Sequence, residues 1–358
     1  MFYDDAIAQG LTILPPDINA STWRFEPIDT LTLRYGLGAI KGTGEHAIDN
    51  VAAERNVGGA FTDLFDFCKR VDRRQVNRRV VEALIRGGAF DSLNNNRAAL
   101  LASVPIAMDA AEQACANAAQ TALFSDEVLP YHHALADVLP WPEAERLAQE
   151  KSVLGFYLSG HPFRQYKEEL SALVVAPLDR LKPQQDRALI AGIVTAIRVQ
   201  SSKRGKMAFV TLDDSVGNVE IIIYNEVFDA ARALLQEDRL IIADVRITTR
   251  HQERNGEDAQ SSLRILADAL YDLDTLRRTR AKTLRISCNT DTNAKTLLEI
   301  LRPFSGKNGS GVSVAIDYTN AQARGIVTLP DPWRIAPEET LIQHLHTLPG
   351  VATTRFVY

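Results

Sequence analysis

The hydrophobic pattern of the chain changes its period along the sequence. Between residues 36 and 102, apolar side chains recur at helical spacing: Ala47, Ile48, Val51 and Ala52; then Phe61, Leu64, Phe65 and Cys68; then Val76, Val80, Val81, Leu84 and Ile85. This spacing predicts amphipathic helices, the third stopped by Gly87-Gly88. An alanine-rich helix is predicted from Asn96 to Ala119, with Pro105 as a point of kinking or restart. Residues 120–145 hold no period and carry Pro130, Pro140 and Pro142, which reads as a linker. A helix over Glu143–Leu158 is stopped by Ser159-Gly160-His161-Pro162. From Ala188 the period becomes two. Strands are predicted at Ala188–Val199, Met207–Leu212, Val219–Tyr224, Leu240–Thr248 and Leu263–Tyr271, with a helix at Asn225–Leu235. A last alternation places strands near Thr283–Ser287, Val312–Asp317, Arg324–Leu329 and Thr353–Val357, and helices near Asn293–Arg302 and Glu338–Thr347. The charged segment Asp274–Lys282 reads as a joint.

Five strands with one helix between the third and fourth is the order of an oligonucleotide-binding (OB) barrel; another small β-barrel is the alternative. The fold class expected is therefore multidomain α+β: a helical module, a five-stranded OB-fold β-barrel and a small C-terminal α/β domain. Residues 1–30 are rich in turn signals (Pro15-Pro16-Asp17, Glu26-Pro27) and predict the tail of a larger fold rather than a domain of their own.

Composition adds bounds. A chain of 358 residues, 46% hydrophobic and 24% charged, predicts two or three folded domains. No apolar stretch is long enough to span a bilayer, and the first residues lack the pattern of a signal peptide. Three scattered cysteines (Cys68, Cys115, Cys288) point to a reducing, cytoplasmic setting. The net charge of −5 argues against a general coat of nucleic-acid-binding charge. Locally the balance reverses. Residues 31–97 carry 11 basic against 8 acidic side chains, and Lys69–Arg79 holds six against one. A solvated helix face is the plain reading of such a run.

Three features suggest chemistry. Lys41, Gly42, Thr43 and Gly44 form a tight turn before a helix, where backbone N–H groups face outward and attract phosphate. A second turn, Arg86, Gly87 and Gly88, comes after the basic run with Arg73, Arg74, Arg78 and Arg79. Two such hairpins in tandem suggest a grip on the DNA backbone without sequence readout, although a glycine pair is by itself only a tight turn. Gln120-Thr121-Ala122-Leu123-Phe124 joins a glutamine to two apolar anchors where a helix yields to a linker. It suits a peptide docking in a groove, or a helix end folding back on its own core. The loop carrying Lys203, Arg204 and Lys206 joins the first two barrel strands, and Phe209, Tyr224 and Phe228 are candidate base-stacking rings. Residues 186–273 hold 11 basic against 14 acidic side chains, so single-strand binding there is expected to be weak and confined to one face. Asp213-Asp214 sits in a strand-to-strand turn and reads as local hydrogen bonding rather than a metal site. The sequence has no P-loop, no HExxH and no converging carboxylates for two-metal phosphoryl transfer. No catalytic or metal-binding residue is therefore expected.

Several stretches taken together resemble the C-terminal part of the bacterial DNA polymerase III alpha subunit, the C-family replicase. They are LPPDIN (Leu14–Asn19), YGLGAIKGTGEHAI (Tyr35–Ile48), NRRVVEALIRGGAFDSL (Asn77–Leu93), EKSVLGFYLSGHPF (Glu150–Phe163), and AGIVTAIRV with KRGKMAFVTLDD (Ala191–Asp214). The match weakens after Asp274, where PWRIAP (Pro332–Pro337) is the suggestive stretch. The resemblance implies the end of a fingers region at 1–30 and tandem helix-hairpin-helix units on duplex DNA at 31–119. It implies a sliding-clamp (beta subunit) motif and linker at 120–145, with Gln120, Leu123 and Phe124 as anchors, and a helical connector at 146–185. An OB-fold for single-stranded DNA at 186–273 and a clamp-loader tau-binding domain at 274–358 complete it. The catalytic palm, with its Mg, is expected outside this segment, which itself should hold no cofactor and no activity. Two other readings remain open: the related error-prone C-family polymerase of translesion synthesis, and a free-standing, non-enzymatic single-strand-binding adaptor.

Overall fold

The structure, a computed structural model, describes residues 5–7, 9–121, 134–184, 186–202, 205–251, 261–305 and 311–358. It divides into two compact units, residues 1–162 and 163–358.

The first unit is built on helices: α1 (Glu45–Gly58), α2 (Leu64–Arg70), α3 (Arg78–Arg86), α4 (Arg97–Thr121) and α5 (Glu143–Leu154). The helix starts arise from local chemistry. The Asp63 carboxylate accepts from the N–H groups of Phe65 and Asp66 at the head of α2, and the Asn77 side chain caps Arg79 and Val80 at the head of α3. The apolar faces meet in one core where Phe67 stacks edge to face with both Phe61 and Phe90, its ring centroid 5.0 Å from each. Three features depart from the sequence expectation. The turn-rich first residues form a small sheet of β1 (Thr12–Leu14), β2 (Glu26–Pro27) and β3 (Thr32–Arg34), whose strands are too short to show a period. Helix α4 runs through Pro105 without restarting. Helix α5 stops at Leu154, not Leu158, because Gly155 turns left-handed (φ 87°) and closes it.

The second unit holds a closed barrel and a separate sheet. The barrel strands are β4 (Ala188–Ser202), β5 (Gly205–Asp213), β6 (Asn218–Tyr224), β7 (Leu240–His251) and β8 (Ser261–Tyr271), closing in the order β4-β5-β6-β8-β7. Alternate side chains such as Ile190, Val194, Val210, Ile221, Ile241 and Val245 fill its interior. Register shifts at Val194/Ala196 and Asp244/Val245 bend the long strands enough to close. Preceding the barrel is α6 (Arg164–Leu170), and α7 (Asn225–Ala231) lies between β6 and β7. The charged joint read at 274–282 is instead mostly helix, α8 (Leu273–Arg280), capped by Asp272. Its polarity hid an apolar edge: Leu273 and Leu276 pack with Phe163, Leu170, Leu189 and Ile242 on the outside of the barrel.

The remaining sheet has the order β11 (Arg324–Thr328), β10 (Ser313–Thr319), β9 (Thr283–Cys288), β12 (Val351–Val357), with β9 and β10 parallel. Helices α9 (Ala294–Leu301) and α10 (Glu339–His346) share a core with one of its faces. Buried Arg277 of α8 ties these parts together. It holds Glu169 of α6 through two bonds of 2.8 and 2.6 Å and Glu339 of α10 at 2.6 Å, and its guanidinium lies 4.9 Å from the Phe356 ring centre. The Tyr358 hydroxyl donates to the same Glu169. Burial opposes the charge on Arg277, and the two carboxylates more than restore it, so its pKa stands above the ordinary arginine value.

Candidate nucleic-acid interface

The first hairpin turn, residues 40–44, lies between a short 3-10 turn (Leu37–Ala39) and α1. The Lys41 N–H donates to the Val153 carbonyl at 2.8 Å, and the Thr43 hydroxyl donates to the carbonyls of Leu37 and Ile40. Gly42 turns left-handed (φ 94°), a conformation that costs glycine little. Gly44 caps α1 without a side chain. Among the described residues, the N–H groups of Gly42, Gly44, Glu45 and His46 take no protein partner, and all four residues are exposed. The positive end of the α1 dipole adds to them.

The second turn is built the other way. Gly87 and Gly88 are buried, and their N–H groups donate to Ala83 and Ile85 at 2.9 and 3.0 Å. The phosphate-facing role expected of these two glycines therefore does not fit, because their donors are already spent. Gly88 is left-handed (φ 86°), and a Cβ there would lie 2.3 Å from Nη2 of Arg97. That arginine, 4% exposed, seals the turn: it pairs with Asp91 at 2.6 Å and with fully buried Glu150 at 3.1 Å, and it donates to the Arg86 carbonyl. The other Glu150 oxygen accepts the N–H groups of Leu158 and Ser159. Burial disfavours the charge of Arg97, and Asp91 and Glu150 overcome this, raising its pKa. The two turns touch: a Cβ on Gly87 would lie 3.1 Å from Ile40, and one on Gly42 would lie 3.6 Å from Ala83.

The basic run is partly consumed within the fold. Arg70 donates to the carbonyls of Glu54 and Gly59 and lies 4.4 Å from the centre of the Phe61 ring. Arg73 pairs with Glu112, Arg78 with Glu82, and Arg86 approaches Glu82 at 3.5 Å. Lys41, Lys69, Arg74 and Arg79 are exposed and have no ion pair among the described residues.

Gln120 belongs to the last turn of α4, while Leu123 and Phe124 lie outside the described residues, as do Lys203 and Arg204. On the barrel, Phe209 is half-buried on the outer surface, with the Arg198 guanidinium 4.8 Å from its ring centre; Arg198 also pairs with Glu220 at 3.1 Å. Arg198, Phe209 and Ile222 form one outward rung across β4, β5 and β6. Tyr224 is exposed beside it, its hydroxyl accepting from Arg264 at 2.9 Å. Lys206, three residues from Phe209, projects to the opposite side of β5. Phe228 is core, not a stacking ring. The Asp213-Asp214 turn is closed by hydrogen bonds: Asp214 accepts from the N–H groups of Leu178, Val216 and Gly217. Sequence reasoning missed Arg198, Arg264 and Glu150; the cross-strand offset of Arg198 and Phe209 could have found the first. Among the described residues, no group of three His, Cys, Asp or Glu is placed to hold a metal, and no helix is long and apolar enough to cross a membrane.

Two fold types associated with nucleic-acid recognition thus occur in one chain. A helix-hairpin-helix motif model matches residues 10–100, and an OB-fold nucleic acid binding domain model matches residues 188–273. The DNA polymerase III subunit alpha of Neisseria meningitidis serogroup B is 42% identical over 99% of this chain, and those of Vibrio cholerae and Escherichia coli K12 are each 36% identical over 97%. The chain belongs to the DNA polymerase III alpha family and corresponds to its C-terminal region. It spans about 30% of the length of these relatives. Among solved structures, a single-stranded DNA binding protein from Thermus aquaticus aligns with 26% of this chain and 52% of its own, at 18% identity and a TM-score of 0.21.

Proposed function

We propose that this chain is the non-catalytic, DNA- and clamp-binding portion of a replicative, cytoplasmic DNA polymerase whose nucleotidyl transfer, with Mg, belongs to the part of the relatives it does not cover. One observation carries this reading: nearly all of this chain aligns with about 30% of the alpha subunits, with the helix-hairpin-helix and OB matches in order inside it. Duplex DNA lies against the first hairpin, where the N–H groups at Gly42 and Gly44 and the free charges of Lys41, Arg74 and Arg79 face a phosphate backbone. Single-stranded template lies on the barrel rung of Arg198 and Phe209, extended by Tyr224. Gln120, Leu123 and Phe124 dock in the sliding clamp, and the terminal α/β domain meets the tau subunit of the clamp loader.

The decisive experiment is clamp binding. Leu123→Ala with Phe124→Ala should reduce affinity for the immobilised sliding clamp by about 2 kcal/mol or more, as expected on losing a hot-spot anchor, while duplex binding stays unchanged. Equal clamp affinity for the double variant refutes the clamp assignment. Primer extension by the chain alone should give no product.

A further inference from the structure

The sheet β11-β10-β9-β12 has two unlike faces. One carries Leu284, Ile286, Val314, Ile316 and Phe356 into the core shared with α9 and α10. The other turns the alternate residues outward, and its outer strands are exposed, Thr328, Thr353 and Arg355 among them. Register places Thr328, Ala315, Arg285 and Arg355 on one rung, and Ile326, Asp317, Ser287 and Thr353 on the next. Two arginines therefore stand directly opposite each other across β9 and β12, an arrangement that costs stability unless an anion joins it.

The neighbouring carboxylate does not supply that anion. Asp317 is held by Arg324 of β11 through two bonds of 3.1 and 2.7 Å. Arg324, with Arg285 and Arg355 at longer range, keeps the Asp317 carboxyl below its ordinary pKa. Nε of Arg285 is buried and makes no hydrogen bond, and neither Arg285 nor Arg355 has an ion pair among the described residues. Residues 281–358 hold eight basic against six acidic side chains, and this face alone carries three basic against one. The surplus positive charge of the domain is thus concentrated on its uncovered surface.

We infer that the open face of this sheet, centred on the opposed pair Arg285 and Arg355, binds the phosphodiester backbone of single-stranded DNA. Guanidinium forks and flanking hydroxyls (Ser287, Thr353, Thr328) are groups that hold phosphate oxygens. The face carries no aromatic ring, so it reads backbone and not base. It is the face of a sheet, with no helix end or ribbon to enter a duplex groove, whereas a flexible single strand can lay its phosphates on both arginines. Ile326 is the lone large apolar side chain on these two rungs, fewer anchors than a peptide partner needs. The inference rests on the reading of this chain as a DNA-binding protein, and it adds a second track for the strand within the unit that holds the barrel.

The test uses the full chain in a Cys115→Ser background. A photoreactive benzophenone is attached at Thr353→Cys on the sheet or at Gln200→Cys on the outer barrel surface, and is irradiated with labelled single-stranded DNA. Adducts are expected at both positions. Arg285→Gln with Arg355→Gln should cut the Thr353 adduct about five-fold or more and leave the Gln200 adduct unchanged, as expected of a lost phosphate contact. Arg355→Gln alone changes an exposed residue and should lower the Thr353 adduct about two-fold, which guards against misfolding of the double variant. An adduct at Gln200 alone overturns the inference and leaves the barrel assignment standing. So does a Thr353 adduct indifferent to the arginines, or one formed with polyglutamate in place of DNA. Adducts at neither position overturn both.

Discussion

The two glycine hairpins of the first unit look alike in sequence and do opposite work. At residues 40–44 the glycines leave N–H groups of the turn and the helix start facing solvent; at 86–91 they let the chain fold tightly over an ion pair. The difference lies in the stretch of chain directly after each turn. Helix α1 begins immediately after Gly44, with no side chain to cap it, so its donors stay open. After Gly88 the chain turns through Asp91 and reaches α4 at Arg97, and the guanidinium of that buried arginine packs against the turn and pairs with Asp91. A glycine pair thus sets a backbone shape, and the neighbouring residues decide whether its donors stay open or are closed over.

Breaking the closed hairpin should have the largest effect. Arg97→Leu strands the carboxylate of Glu150 in the core and should destabilise the first unit by about 3–5 kcal/mol, measured by urea unfolding. Next is Gly88→Ala, which forces a left-handed backbone on alanine and a methyl group against Arg97; a loss of about 2 kcal/mol or more is expected in the same assay. Both changes should act on stability and not on the salt dependence of DNA binding. Arg74→Glu with Arg79→Glu should do the reverse. Unfolding should be nearly unaffected, while the slope of log affinity for duplex DNA against log salt should flatten by about 1.8, if each arginine meets one phosphate. An unchanged slope would mark the run as a solvated face. The smallest change sharpens the open hairpin. In Gly44→Ser the hydroxyl can cap the first turn of α1, so stability should hold or rise by a few tenths of a kcal/mol, roughly. The same cap competes with phosphate for those donors, so filter binding to duplex DNA should weaken.

Much of this architecture was legible in the sequence. The barrel showed itself because β-branched side chains at alternate positions must fill a closed interior, and Val210, Ile221 and Val245 do so. The helices of the first unit showed themselves through Val80, Val81, Leu84 and Ile85, whose spacing leaves one face apolar. Helix α8 did not, because its core contribution is two leucines among charged residues, and Arg277, the most important of those charges, is itself buried. The site was legible by residue type more than by role. The sequence singles out glycines, several arginines and Phe209 as candidates, yet nothing local marks Gly88 as structural, since its constraint comes from Arg97 and that of Arg97 from Glu150, 53 residues further on. Roles set by distant partners become visible only when the chain is folded.

The junction at Arg277 has a mechanical consequence. One guanidinium grips the helix ahead of the barrel and a helix of the terminal sheet, and Glu169 is grasped in turn by the Tyr358 hydroxyl. Flexing between barrel and sheet would stretch several short charged bonds at once around one buried guanidinium. These bonds are those of a stiff bracket rather than a hinge. Tension applied to the terminal sheet would be delivered to the barrel as a rigid displacement, with little lost to bending along the way.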